Sequence, residues 1–450
     1  MRILLLAPAV ACLLAARLPA QDTADLLRRI TAMEERVKAL ETEVQTLRSQ
    51  PAAASSPPTA AAPEQAIPAR QMAQQAPAVQ PVMGGAAPAA AKVFNPDISV
   101  IGDFLGAAGN SGNRNTPALE MHESEVGLQA IIDPYVRGDV FLTFGEQGVS
   151  LEEGYFTFTS LPGSLQLKVG KMRAAFGRVN AMHNHILPWT DRPLVTQNLV
   201  GGEDGIDDAG LSLSRIIPAP KDIFLEGTAQ VFRGDSENVF QASRRRDLST
   251  VEHLRAYRDL SESTNLDLGG SFARGRSAFG GGTNQLVGVD ATLRWKPLRR
   301  AIYRSFVGRG EFVWAHTDVS PLYLPGFQYF GPSLDPGPPK NVRPFGYYVS
   351  GDYQLGRRWF LGGRFDRSQR GQCLETNPAT TFAITKCGGF APSGPLVTDT
   401  GGSLLLTYWP SEFSQIRGQL RHTRYGEGRT ANEILFQFIL SMGAHGAHPF

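Results

Sequence analysis

The sequence predicts an all-β transmembrane barrel of about 16 antiparallel strands, preceded by a short α-helical coiled coil. Three observations predict it. Apolar and polar residues alternate with period two from about residue 97 onward. The connections between these runs alternate between short and long. A heptad repeat and a low-complexity stretch come before them.

The bulk numbers agree. Lys and Arg number 44 against 42 Asp and Glu, a net +2, so no basic footprint for nucleic acid exists. Away from the extreme N-terminus, no apolar run reaches the ~20 residues of a spanning helix.

The opening "MRILLLAPAVACLLAARLPAQD" has a basic residue, an apolar stretch and a small-residue exit at Ala20. It reads as a signal peptide over residues 1–20, which would carry Cys12 away. Cys373 and Cys387 then remain, in a polar Gly/Pro-rich stretch. In an exported chain they are expected to form a disulfide closing a surface loop.

Residues 21–50 carry the heptad. Leu26, Met33, Leu40 and Leu47 take one core position, and Ile30, Val37 and Val44 the other. With Ile30 at a, the g residues Arg29, Arg36 and Glu43 oppose e residues Glu34, Glu41 and Arg48. Every such pair is opposite in sign in a parallel assembly, so self-association is expected. A helix packing on its own domain is the alternative. Residues 51–96 are rich in Ala, Pro and Gln with almost no charge, the composition of a linker.

The barrel is assigned to residues 97–450. "RGDVFLTF" sets Val140, Leu142 and Phe144 against Asp139 and Thr143; "SLQLKVG" sets Leu165, Leu167 and Val169 against Gln166 and Lys168. Short turns fall at "IIDPYV", "TSLPGS", "IPAPKD", "SESTN", "QLGRRW" and "WPSEFSQ". Long loops fall between them, above all at 173–207, 316–343 and 368–398. A soluble sandwich has no reason to gather its long loops at one end, whereas a membrane barrel does. The closing run "NEILFQFILSMGAHGAHPF" keeps Ile434, Phe436, Phe438, Leu440 and Met442 in phase and stops on Phe450.

A coiled coil, a linker, about sixteen strands and the end "FQFILSMGAHGAHPF" resemble Gram-negative porins, the phosphate-selective porin family above all. The resemblance implies passive diffusion of small hydrophilic solutes or ions through trimeric outer-membrane barrels narrowed by the third outer loop. It also implies a periplasmic coiled coil, outer-membrane lipid around the barrel, and Phe450 as the signal read by the barrel assembly machinery.

If polar strand faces line a lumen, the charges there set selectivity. Arg137, Lys168, Arg255, Arg294, Arg309, Arg364, Arg417 and Arg421 are the basic candidates, and Asp139, Glu311 and Asp366 stand among at least as many acids. This mixture departs from the basic track of an anion-specific pore. The loop between the fifth and sixth strands mixes apolar and charged residues, so a folded insert that constricts the lumen is expected. Arg173, Arg178, His183, His185, Asp191, Arg192, Glu203 and Asp204 would present its charges. His183 and His185 form an H-x-H pair that could hold a metal, although ordinary hydrogen bonding explains such a pair as well.

No enzyme motif stands out, and neither catalysis nor a cofactor is expected. Two other readings stay open: an energy-coupled gated receptor, possibly for metal, and a structural tether between outer membrane and cell wall.

Overall fold

The computed structural model describes residues 96–110, 117–146, 148–220, 222–236, 238–279, 282–319, 340–371 and 396–443. The signal segment, the heptad from Leu26 to Leu47, the linker up to residue 95, Cys373, Cys387 and Phe450 lie outside the described residues.

The strands run in hairpin order. The first six are β1 (Asp97–Asn110), β2 (Leu119–Asp133), β3 (Val136–Gly145), β4 (Gly148–Leu161), β5 (Leu165–Arg173) and β6 (Asp207–Ile217). Next come β7 (Ile223–Phe232), β8 (Ser249–Ser261), β9 (Thr264–Arg276), β10 (Thr283–Trp295) and β11 (Phe306–Val319). The last six are β12 (Lys340–Val342), β13 (Phe345–Gly356), β14 (Trp359–Gly371), β15 (Leu396–Ser411), β16 (Ser414–Arg424) and β17 (Thr430–Gly443). β12 and β13 both pair with β11, on Thr317–Val319 and Phe306–Trp314 respectively. They are successive parts of one barrel strand interrupted at Pro344, so the 17 segments make sixteen staves. The interruption falls where proline supplies no N–H to the ladder.

Every neighbour is antiparallel, and β17 returns to pair with β1, with Phe438 opposite Phe104 and Leu440 opposite Gly102. The sheet is therefore closed and has no free edge. The seam is braced from inside: Gln437 Nε2 lies 3.0 Å from both carboxylate oxygens of Asp103. Gln437 in turn accepts a 2.7 Å hydrogen bond from Arg417 on β16.

Alternation fixes the two faces. On β17, Glu433, Leu435, Gln437 and Ile439 are buried, whereas Ile434, Phe436, Leu440 and Met442 are exposed. Leu213, Leu254, Phe272, Val289, Trp314 and Leu406 continue the exposed apolar belt around the outside. Aromatic pairs mark its two rims: Trp359 on Tyr408 at 4.4 Å by the short turns, and Trp314 on Phe345 at 5.1 Å toward the long loops. The 12 residues of β13 rise roughly 30 Å at ~3.4 Å each and ~40° tilt, close to the apolar height of a bilayer.

Besides the register shifts beside the short turns, two bulges lie near the long loops. β2 carries an extra residue at His122, where its register against β1 shifts. β4 carries one at Glu152, between the pairs Phe141–Glu153 and Leu142–Leu151. A bulge turns two successive side chains toward one face, and both Glu152 and Glu153 reach inward.

Candidate functional site

The segment joining β5 to β6, residues 174–206, is the third outer loop, L3, and it folds into the barrel. Asn180 closes its base. The amide donates to the carbonyls of Ala174 and Ile206 and accepts from the Ile206 N–H. Gly177 holds φ +59°, and a Cβ there would lie 2.1 Å from a carboxylate oxygen of Glu311 on β11. Only glycine allows both the backbone angle and the approach. Glu311 is buried by that approach and accepts from the backbone N–H groups of Arg178 and Val179.

Beyond the base, a 3-10 turn (Asn184–Ile186) and a short helix α1 (Leu194–Leu199) carry the loop across the lumen. Its apolar side chains Phe176, Val179, Leu187, Trp189, Val195 and Val200 are buried with Val251, Leu286, Val313, Tyr348 and Leu405 of the wall. Trp189 meets Tyr348 edge-on at 5.1 Å and carries the Arg364 guanidinium over its ring at 5.0 Å. L3 and the inward wall thus form a packed apolar core. The reason is the insert's own composition: Ile, Leu, Trp and Pro bury their surface against the inward faces.

Polar anchors tie L3 to opposite walls. Asp191 receives Arg364 of β14 at 3.0 Å and Arg421 of β16 at 2.7 Å. Gln419 also donates to Asp191, at 2.6 Å. Burial pushes the Asp191 carboxyl up, but the two guanidiniums outweigh it and hold it well below the usual range. Arg364 also pairs with Asp366, which accepts from the Leu194 N–H at the start of α1.

On the facing wall, His183 Nδ1 lies 2.6 Å from Glu125 on β2, and Nε2 lies 2.8 Å from Glu153 on β4. Burial alone would lower this imidazole, but the surrounding carboxylates raise it to about 10. His185 Nδ1 lies 3.6 Å from Glu123 and 3.6 Å from Glu125. Arg173 at the end of β5 pairs with Glu152 at 2.7 Å and donates to the carbonyls of Glu203 and Asp204.

A third cluster surrounds Asp267 on β9. Arg255 on β8 forks onto it at 2.8 and 2.9 Å, with Arg178 of L3 at 3.4 Å and Arg294 of β10 at 3.7 Å. Arg309 pairs with Asp352 nearby.

The lumenal face also holds Arg137, paired with Asp139 at 2.6 Å, and Lys168, set over the Tyr155 ring at 4.4 Å. Arg421 bridges Asp191 and Glu433. Three of the residues expected to charge a constriction stand elsewhere. Arg192 is buried inside L3 and donates to the carbonyls of Val179 and Met182 and to Asn184, so it braces the loop. Burial lowers it to about 9. Glu203 and Asp204 are exposed; Glu203 meets His122 at 2.9 Å, while their carbonyls serve Arg173. Glu152 has no place in an alternating reading, because a bulge is invisible to strict period two.

No family model matches the chain. It is 28% identical over 421 residues, 81% of each chain, to an uncharacterized protein of Aquifex aeolicus. Among solved structures it is similar to OmpT, an outer membrane protein of Vibrio cholerae, at TM-score 0.48 and 9% identity, covering 77% of this chain and 97% of that one. Pseudomonas putida OprB gives 0.48 and 10%, over 79% and 95% of the two chains. An anion-selective porin from Comamonas acidovorans gives 0.48 and 8%, over 77% and 100%. The sixteen-stave assignment itself rests on the strand pairing above.

Proposed function

We propose that this chain is a bacterial outer-membrane porin passing small hydrophilic solutes or ions along a narrow, mixed-charge path beside L3. One observation carries the reading: L3 crosses the barrel from His183 against β2 and β4 to Asp191 against β14 and β16. A loop pinned at both walls narrows whatever passes. The membrane setting follows from the closed sheet and its exposed apolar belt, a surface suited to lipid and costly in water. Trimeric assembly, a periplasmic coiled coil over 21–50 and Phe450 as the assembly signal belong to the same reading.

The apolar core around Phe176, Trp189 and Tyr348 favours a narrow pore over a wide one. It equally supports a second reading, a gated channel in which L3 must move before solute passes.

Planar-bilayer recording separates them. Wild type should conduct weakly, and deleting residues 181–200 should raise single-channel conductance several-fold. A silent wild type with a conducting deletion supports the gated reading. Equal conductance removes L3 as the constriction, and silence in both removes the channel.

A further inference from the structure

The lumen wall beside β2 holds an arrangement that channel architecture does not require. Two histidines and four carboxylates converge there, with one guanidinium, Arg173, paired into the group. Glu125, His183 and His185 are all buried, and each offers a ligand atom within 4.8 Å of the others.

We propose that Glu125, His183 and His185 bind a divalent transition cation of the zinc class as a two-histidine, one-carboxylate set, with Glu123 beside His185. The proposal does not depend on whether the barrel conducts.

The spacings are near those of neighbouring ligands on one zinc ion. Zinc–nitrogen and zinc–oxygen bonds of ~2.0–2.2 Å put neighbouring tetrahedral ligands about 3.4 Å apart. Glu125 Oε2 and Glu123 Oε1 each lie 3.6 Å from His185 Nδ1. The 2.6 Å contact between Glu125 and His183 Nδ1 has to widen by under about 1 Å to admit the ion. As it enters, the proton shared in that contact leaves to solvent.

Two further observations point to a ligand. Glu123 is 5% exposed, yet its Oε1 has no hydrogen-bond partner among the described residues. Its Oε2 is held by Asn184 at 3.4 Å, which leaves Oε1 aimed at His185. His183 has the outer support that metal-bound imidazoles use: its Nε2 lies 2.8 Å from Glu153, which orients the ring with Nδ1 toward Glu125.

Charge and donor type select the ion class. Glu123, Glu125, Glu152 and Glu153 against Arg173 give a net −3 before the histidines, which a divalent cation largely offsets. Imidazole nitrogen suits zinc, copper, nickel or cobalt and disfavours magnesium and calcium. Local structure builds the site. Glu123 and Glu125 share the inward face of β2, the bulge at Glu152 brings two glutamates in from β4, and the 3-10 turn at Asn184 presents both histidines.

The test is calorimetry on the full chain in detergent, titrated with zinc chloride and, separately, with magnesium chloride. One zinc per chain should bind in the micromolar range or tighter, with no saturable magnesium heat. His185→Ala should weaken zinc at least tenfold, with the β-sheet circular dichroism checked alongside. Should that variant lose its β signal, Glu125→Gln, of the same shape, reads the same tenfold loss. Cobalt(II) should give wild type an intense visible spectrum that His185→Ala or Glu125→Gln abolishes. Absence of saturable zinc heat in wild type, or equal affinity in wild type and the folded variant, overturns the site.

Discussion

Asp191 and Arg364 meet inside the barrel, 173 positions apart in sequence, with the Arg364 Nη2 lying 3.0 Å from both Asp191 carboxylate oxygens. Arg364 is almost wholly buried there, and Arg421 shares the same carboxylate. Breaking one partner of a buried pair leaves a charge without compensation and costs about 3–5 kcal/mol. Asp191→Ala should therefore destabilise the docked loop by that order, read as a lowered denaturant midpoint and as noisier, larger current steps. An unchanged midpoint would show that Gln419 and Trp189 hold the loop without the pair.

The same pair gives a pH dependence with a definite sign. The Asp191 carboxyl is depressed below its ordinary 3.8 in the folded chain. A depressed carboxylate contributes stability that is complete above the unfolded pKa and is lost as pH falls through the folded one. The stability difference between wild type and Asp191→Asn should stay level from pH 8 to about pH 5. It should shrink below about pH 4, as the unfolded carboxyl takes up its proton. A difference that grows on acidification contradicts the assignment.

Trp189 tests whether packing or polarity seats L3. Its ring is 1% exposed, against Tyr348 and under Arg364, and its indole Nε1 has no hydrogen-bond partner among the described residues. Removing a buried aromatic side chain costs about 3–5 kcal/mol. Trp189→Phe keeps most of the packing and discards the unsatisfied N–H, so it should cost much less than Trp189→Ala in thermal unfolding. Equal losses for the two would mean that the indole N–H has a partner.

The barrel was legible in the sequence because its cause is local. Alternation at Ile434, Phe436 and Phe438, and the short turn at Pro134, depend on neighbours in the chain. Lumenal charges such as Arg309 and Arg417 follow from the same parity. The site was less legible because its contacts are not local: His183 meets Glu125 across 58 positions and Asp191 meets Arg421 across 230. Glu152 was hidden for another reason. It sits at a bulge, where parity assigns it to the wrong face. Arg192 looked like a pore charge only because sequence cannot tell a guanidinium facing solvent from one satisfied by the loop's own carbonyls.

Asp267 offers the sharpest test of ion selectivity. Three guanidiniums, Arg178, Arg255 and Arg294, converge on this one carboxylate. They stand on L3, β8 and β10, partly open to solvent, so their field acts on any ion that passes. Removing the carboxylate charge leaves the three cations less compensated. Asp267→Asn should shift the reversal potential in a potassium chloride gradient toward anion preference. Arg255→Glu should shift it the other way, because it exchanges a positive charge for a negative one beside the same cluster. If both variants reproduce the wild-type reversal potential, permeant ions do not pass the β8–β10 wall, and the conducting path lies on the acidic side beside β2 to β4.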